Sequence, residues 1–157
     1  MTNSWDQQIL RVHYKDTDQM GIAHHANYIR WFEVGRTEWM RNADIAYSRM
    51  ESIGLLLPVV DMNVKYQKPA KYDDIIGIYT TISDVSAVRL RFHYEVRCME
   101  KNHTFTASEV ECPYGELLTS GSTLHMWTKP SWKPARINKI APDVYALLQS
   151  KQQTHEA

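Results

Sequence analysis

The chain is expected to fold as an α+β domain, one antiparallel sheet of about five strands wrapped around a single central helix. Two patterns predict this. From Asn27 to Arg41 apolar residues recur at helical spacing, and from Val60 to Thr128 they recur at every second position. A third observation locates the chemistry. A short acidic loop, Asp16-Thr17-Asp18 with Gly21 and His24-His25, is wedged where the first strand pattern gives way to the helix.

Ile9 to Tyr14 reads as the first strand, Val12 and Tyr14 alternating with His13 and Lys15. In the helix, Trp31, Phe32, Val34, Trp39 and Met40 cover most of the circumference, so other structure must wrap it. Asp44 is placed to cap a short continuation through Met50, and Gly54 to stop it. Strands follow. Val60, Met62, Val64 and Tyr66 alternate with Asp61, Asn63 and Lys65. Pro69 and Asp73-Asp74 mark a loop, and Ile75 to Ser83 forms another strand. Val88 to Cys98 alternates most cleanly, with Leu90, Phe92, Tyr94 and Val96 on one face and Arg89, Arg91, Arg97 on the other. Leu117 to Thr128 is the last long strand. Residues 99–115 carry weaker signals, an extra ribbon or a loop, and the tail after Pro130 is polar with a short apolar turn around Val144 to Leu148. The reading is one domain over 1–157, its core within about 9–128. A lone sheet of this kind leaves edges open, so pairing with a second copy is expected.

Bulk properties narrow the function. The 18 basic and 18 acidic residues leave no global charge for nucleic acid or an anionic membrane. Two cysteines, Cys98 and Cys112, make neither a disulfide framework nor a four-ligand zinc site. Met1 to Asp6 lacks the features of a signal peptide, and no run approaches a membrane span. A cytoplasmic protein without nucleic-acid partner or membrane span is the expectation.

A loop between strand and helix suits catalysis. Helix-start N–H groups polarise a substrate oxygen while the loop holds a carboxylate opposite. By residue type alone, Asp16 and Asp18 serve equally as turn formers, Tyr14 as a core aromatic and Asn27 as a helix cap. Adjacent His24 and His25 lack the i, i+4 spacing that puts two ligands on one helix face, so no metal is expected.

Tyr14, Asp16-Thr17-Asp18, Gly21, His25-Ala26-Asn27-Tyr28, Glu33 and Arg36 stand at fixed spacings. They are followed by Pro58-Val59-Val60, Tyr66, Pro69, Tyr72-Asp73-Asp74 and Gly121-Ser122-Thr123. In this pattern, over residues 9–128, the chain resembles the hotdog-fold acyl-CoA thioesterases. The nearest branch is the hydroxybenzoyl-CoA and Tol-Pal-associated thioesterase group. The resemblance implies a homodimer or homotetramer with active sites at the subunit interface, and coenzyme A as part of the substrate rather than as a cofactor. It implies Asp18 as the catalytic carboxylate, general base or nucleophile, on a small or medium acyl-CoA. The His25 backbone N–H polarises the thioester carbonyl, its side chain positions water, and Tyr14 lines the site. Asn27, Tyr28, Arg89 and Arg91 are the expected substrate contacts. A second hotdog subgroup carries its carboxylate on the central helix, where Glu33 is the matching alternative. An acyl carrier protein thioester, or acyl-CoA binding without catalysis, are the competing functions.

Overall fold

The computed structural model describes residues 4–152. The first three residues and residues 153–157, which include part of the stretch read for a signal peptide and the end of the tail, lie outside the described residues. The elements are β1 (Trp5–Arg11), α1 (Ala26–Asn42), α2 (Tyr47–Ser52), β2 (Val59–Tyr66), β3 (Ile75–Ser83), β4 (Arg89–Cys98), β5 (Ala107–Val110), β6 (Glu116–Met126), α3 (Ile137–Ile140) and α4 (Pro142–Lys151). The strands form one six-stranded antiparallel sheet in the order β2-β6-β4-β3-β1-β5. This is the expected α+β architecture with one strand more than the alternation showed.

The sheet packs on α1 because its inward face is apolar and α1 turns one apolar face to it, burying Tyr28, Trp31, Phe32, Gly35, Trp39 and Met40. The helix is not wrapped all round as its residues suggested, since Ile29, Arg30, Glu33, Val34 and Arg41 stay exposed on the other side. Phe32 stacks on Tyr94 of β4 with ring centroids 4.4 Å apart, and Trp39 meets Phe92 edge-on at 5.7 Å. Gly35 sets the approach: a Cβ there would collide with Thr80 Oγ1 and Ile78 of β3, so only a hydrogen lets the helix lie this close. Every residue of β3 is buried. Ile76, Ile78 and Ile82 enter the main core, while Ile75 and Tyr79 join Met99 in a smaller cluster.

The remaining differences have local causes. β1 ends at Arg11, and Tyr14–Asp16 form a 3-10 turn, so Tyr14 is not on a strand. The Asp16 carboxylate accepts the His13 N–H at 2.9 Å and diverts the chain before the alternation runs its course. Asp44 lies in the turn after α1 with φ of 59° instead of capping α2, whose N-cap is Ala46. Gly54, at φ of 80°, ends that helix as expected. Within 99–115, β5 adds to the free edge of β1, and Tyr114 packs edge-on against Tyr79 at 5.9 Å. The core does not stop at 128. Ile137, Ala141, Val144 and Leu148 are buried in the main cluster, so the polar tail is in fact two short helices with an apolar face turned inward.

β2 stands apart. It is the terminal strand beside β6, and α1 packs over β3, β1 and β4 instead. Val64 reaches the core, but Met62 and Tyr66 on the same face remain 37% and 51% exposed.

Candidate active site

The loop between Asp16 and His25 is built from its own backbone. Thr17 bridges Ala23, the Asp18 N–H donates to Ile22 O at 2.9 Å, and Gly21, at φ of 78°, donates to Asp18 O at 3.0 Å. That conformation favours glycine. Asp18 Oδ1 accepts the Met20 N–H at 2.8 Å, an Asx turn that fixes the carboxylate's orientation. Among the described residues nothing donates to its other oxygen.

Asp16 does a different job. It is buried and ion-paired with Arg30. Burial raises its carboxyl, but the His13 N–H and the Arg30 guanidinium together outweigh that and hold it below the usual carboxylate range. Its backbone carbonyl accepts the His24 N–H at 2.8 Å and the Asn27 side-chain amide at 2.7 Å. Asn27 therefore ties the loop to the helix start.

The start of α1 is arranged around two histidines. His25 is the N-cap, without a side-chain cap bond. His24 Nδ1 accepts the Ala26 N–H at 3.2 Å, His24 O accepts the Asn27 N–H at 2.9 Å, and the two imidazoles stack at 4.2 Å. The His25 N–H meets no acceptor among the described residues, leaving an unspent donor at the positive end of a 17-residue helix.

Asp18 and His25 share a cavity of about 340 Å³ with Met20, Tyr28, Tyr66 and Lys68. Tyr28 is buried, its hydroxyl accepting the Ala70 N–H at 2.9 Å, and burial pushes its phenol up from the ordinary range. A roomier hollow of about 580 Å³ lies between Cys98 and the 99–115 segment, but Glu100 and Glu116 face it and no helix start does. Among the described residues no three His, Cys, Asp or Glu side chains are grouped to hold a metal ion. No helix is long and apolar enough to cross a membrane.

Of the residues singled out in the sequence, the fold thus brings Asp18, His25 and Tyr28 together, with Asn27 behind them. Tyr14 is 79% exposed, edge-on to Tyr72 at 5.8 Å, and outside the cavity lining. Arg89 and Arg91 are remote. Arg91 pairs with Asp84 at 2.8 Å and lies five residues along β4 from Val96, the level of Thr119 and Tyr66, or about 17 Å at strand rise. Glu33 is exposed, eight residues or about 12 Å up the helix from His25. Arg36 does not pair with it but donates from Nε to Tyr47 Oη at 2.8 Å. Tyr66 and Lys68 were missed as site residues. Tyr66 was legible as the last apolar position of a strand and as one position of the family pattern, with no role attached to it in either.

Comparison with known proteins gives the class to which this fold belongs. Residues 12–115 match the family described as the thioesterase-like superfamily, and the chain belongs to it. It is 37% identical over 135 residues to the putative acyl-CoA thioesterase YneP of Bacillus subtilis, covering 85% of this chain and 88% of that protein. It is 34% identical over 83 residues to the acyl-CoA thioester hydrolase YbgC of Escherichia coli, covering 53% of this chain and 62% of that one. Among solved structures, the DHNA-CoA thioesterase of Staphylococcus aureus superposes with a TM-score of 0.80 at 29% identity, over 93% of this chain and 89% of that one. The protein is accordingly an enzyme, a thioester hydrolase by family.

Proposed function

We propose that this enzyme hydrolyses a small or medium acyl-CoA, with Asp18 as the catalytic carboxylate and the His25 N–H as oxyanion donor. The observation that carries it is the shared cavity. One Asp18 oxygen is held by Met20 N–H, and the other is left to act on a group lying between it and the start of α1. With Asp18 as base, the carboxylate takes a proton from water as the hydroxide oxygen adds to the thioester carbon. The oxyanion settles on the His25 N–H, the C–S bond breaks, and the thiolate takes up the proton. With Asp18 as nucleophile the same oxygen attacks first, and water then hydrolyses the mixed anhydride.

The relatives' names support coenzyme A as the thiol, and no separate cofactor is required. Tyr28 forms a wall of the acyl site and Asn27 orients the loop, while Tyr14 stands outside that lining. Arg89 and Arg91, far from their own chain's cavity, serve the coenzyme A phosphates bound at a second copy's site. That copy sits against the uncovered β2 to make a homodimer or homotetramer. The free thiols of Cys98 and Cys112 fit a cytoplasmic setting.

The test is turnover of an acyl-CoA panel with released thiol as readout. Asp18→Asn should lower kcat by about 10² to 10⁴ with the fold intact. Activity within a few-fold of wild type would sink the assignment.

A further inference from the structure

Tyr66 ends β2 and has no role in the mechanism above. Its hydroxyl donates to the His25 carbonyl at 3.1 Å, its ring meets Tyr28 edge-on at 5.3 Å, and it borders the cavity beside Asp18. The His25 carbonyl is the first acceptor of α1, and the Tyr28 N–H reaches it only at 3.4 Å, long against the usual value of about 2.9 to 3.0 Å. Tyr66 therefore gives that carbonyl a bond from outside the helix. The preceding peptide carries the His25 N–H. A trans peptide is planar, so this N–H points away from the His24 carbonyl, which the Asn27 N–H holds at 2.9 Å. The aim of the donor is thus set by the tilt of the first turn. First turns fray unless something outside the helix holds them, and Tyr66 ties this one to the sheet.

We infer that Tyr66 is a positioning residue for thioester hydrolysis: its hydroxyl holds the first turn of α1 so that the His25 N–H meets the developing oxyanion. This rests on the site proposed above. Positioning is distinct from two other uses of the same side chain. A phenol acting as acid toward the leaving thiolate would titrate in the rate profile, and a ring that merely packs on the acyl group would set KM.

Tyr66→Phe removes the hydroxyl and keeps the ring. It is to be measured beside wild type and Asp18→Asn, on the best acyl-CoA, for kcat, KM, the pH dependence of kcat and Tm. The expected result is kcat lower by about 10-fold, about 1.4 kcal/mol of barrier, with KM within about twofold. Tm should stay within about 4 °C, the loss of one part-exposed hydrogen bond, and the pH profile should keep its shape. Tyr66→Leu, which also loses the ring, should raise KM in addition. An unchanged kcat in Tyr66→Phe overturns the inference, as does a rise in KM alone, loss of the alkaline limb, or a Tm drop beyond about 8 °C. Asp18→Asn separates the two levels. If it is inactive while Tyr66→Phe is like wild type, only the inference on Tyr66 falls. If Asp18→Asn is active, the site falls and the positioning role with it.

Discussion

His125 on β6 is fully buried, and its surroundings dictate where its proton sits. Nδ1 lies 3.1 Å from Leu57 O, and a carbonyl only accepts, so Nδ1 carries the hydrogen. Nε2 is then a bare lone pair that accepts the Thr123 hydroxyl at 2.8 Å, and Thr123 in turn accepts Tyr94 Oη–H at 2.6 Å. A second proton would go onto Nε2, 3.5 Å from the Arg36 guanidinium. Burial above all, with the Arg36 charge adding to it, outweighs the Leu57 carbonyl and pushes the imidazole down to about 4. The unfolded chain titrates near 6.5, so between these values it binds the extra proton and the folded state does not. Stability from this group is present above pH 6.5 and lost as pH falls toward 4, about 2 kcal/mol of it by pH 5. Asp6, whose carboxyl burial raises, works in the opposite sense. The check is therefore differential. Denaturant melts at pH 7 and pH 5 should show the loss in wild type and little of it in His125→Gln, and an equal loss in both would refute the assignment.

At the scale of elements, the C-terminal helices show how a polar segment joins a core. Val144 and Leu148 stand four apart on α4, on the side turned toward the main cluster, and Leu148 is fully buried. Leu148→Ala should cost about 2 to 5 kcal/mol, the range for a buried leucine deleted from a packed site. A loose tail would give less than about 0.5 kcal/mol, and chemical denaturation distinguishes the two. α1 is held on the opposite principle. Its approach to β3 depends on the missing side chain at Gly35, and its polar brace is Arg36 on Tyr47.

For the whole molecule, β2 is the edge that a second copy would cover. A terminal strand offers unpaired backbone groups, and here Met62 and Tyr66 add apolar surface that stays 37% and 51% exposed. A second copy on this strand would bury that surface beside both cavities, since Tyr66 belongs to strand and site alike. Met62→Lys should then shift the protein toward monomer in light scattering coupled to size exclusion. Its turnover should fall although Met62 lines no cavity described above. A monomeric wild type of full activity would remove the basis for a shared site.

Legibility followed the range of the interactions. α1, β2, β3, β4 and β6 were readable because a periodicity in the residues themselves declares each of them, and so was the turn at Gly54. The loop from Asp16 to His25 was readable as a motif for the same reason: its residue types stand close together along the chain. β1 was misjudged at both ends: a carboxylate bond from Asp16 to the His13 N–H, and not the alternation, stops it, and its start at Trp5 is made by pairing with β3 and β5. β5 has too little pattern to announce itself and exists because β1 offers it an edge. Tyr66 reaches His25 across 41 residues, and Arg36 meets His125 across 89. The sequence by itself determined the helix, the main strands and the acidic loop, since these follow from local spacing. Only the tertiary structure decided which side chains share the cavity, because that depends on how far α1 sinks toward the sheet and where β2 ends beside it.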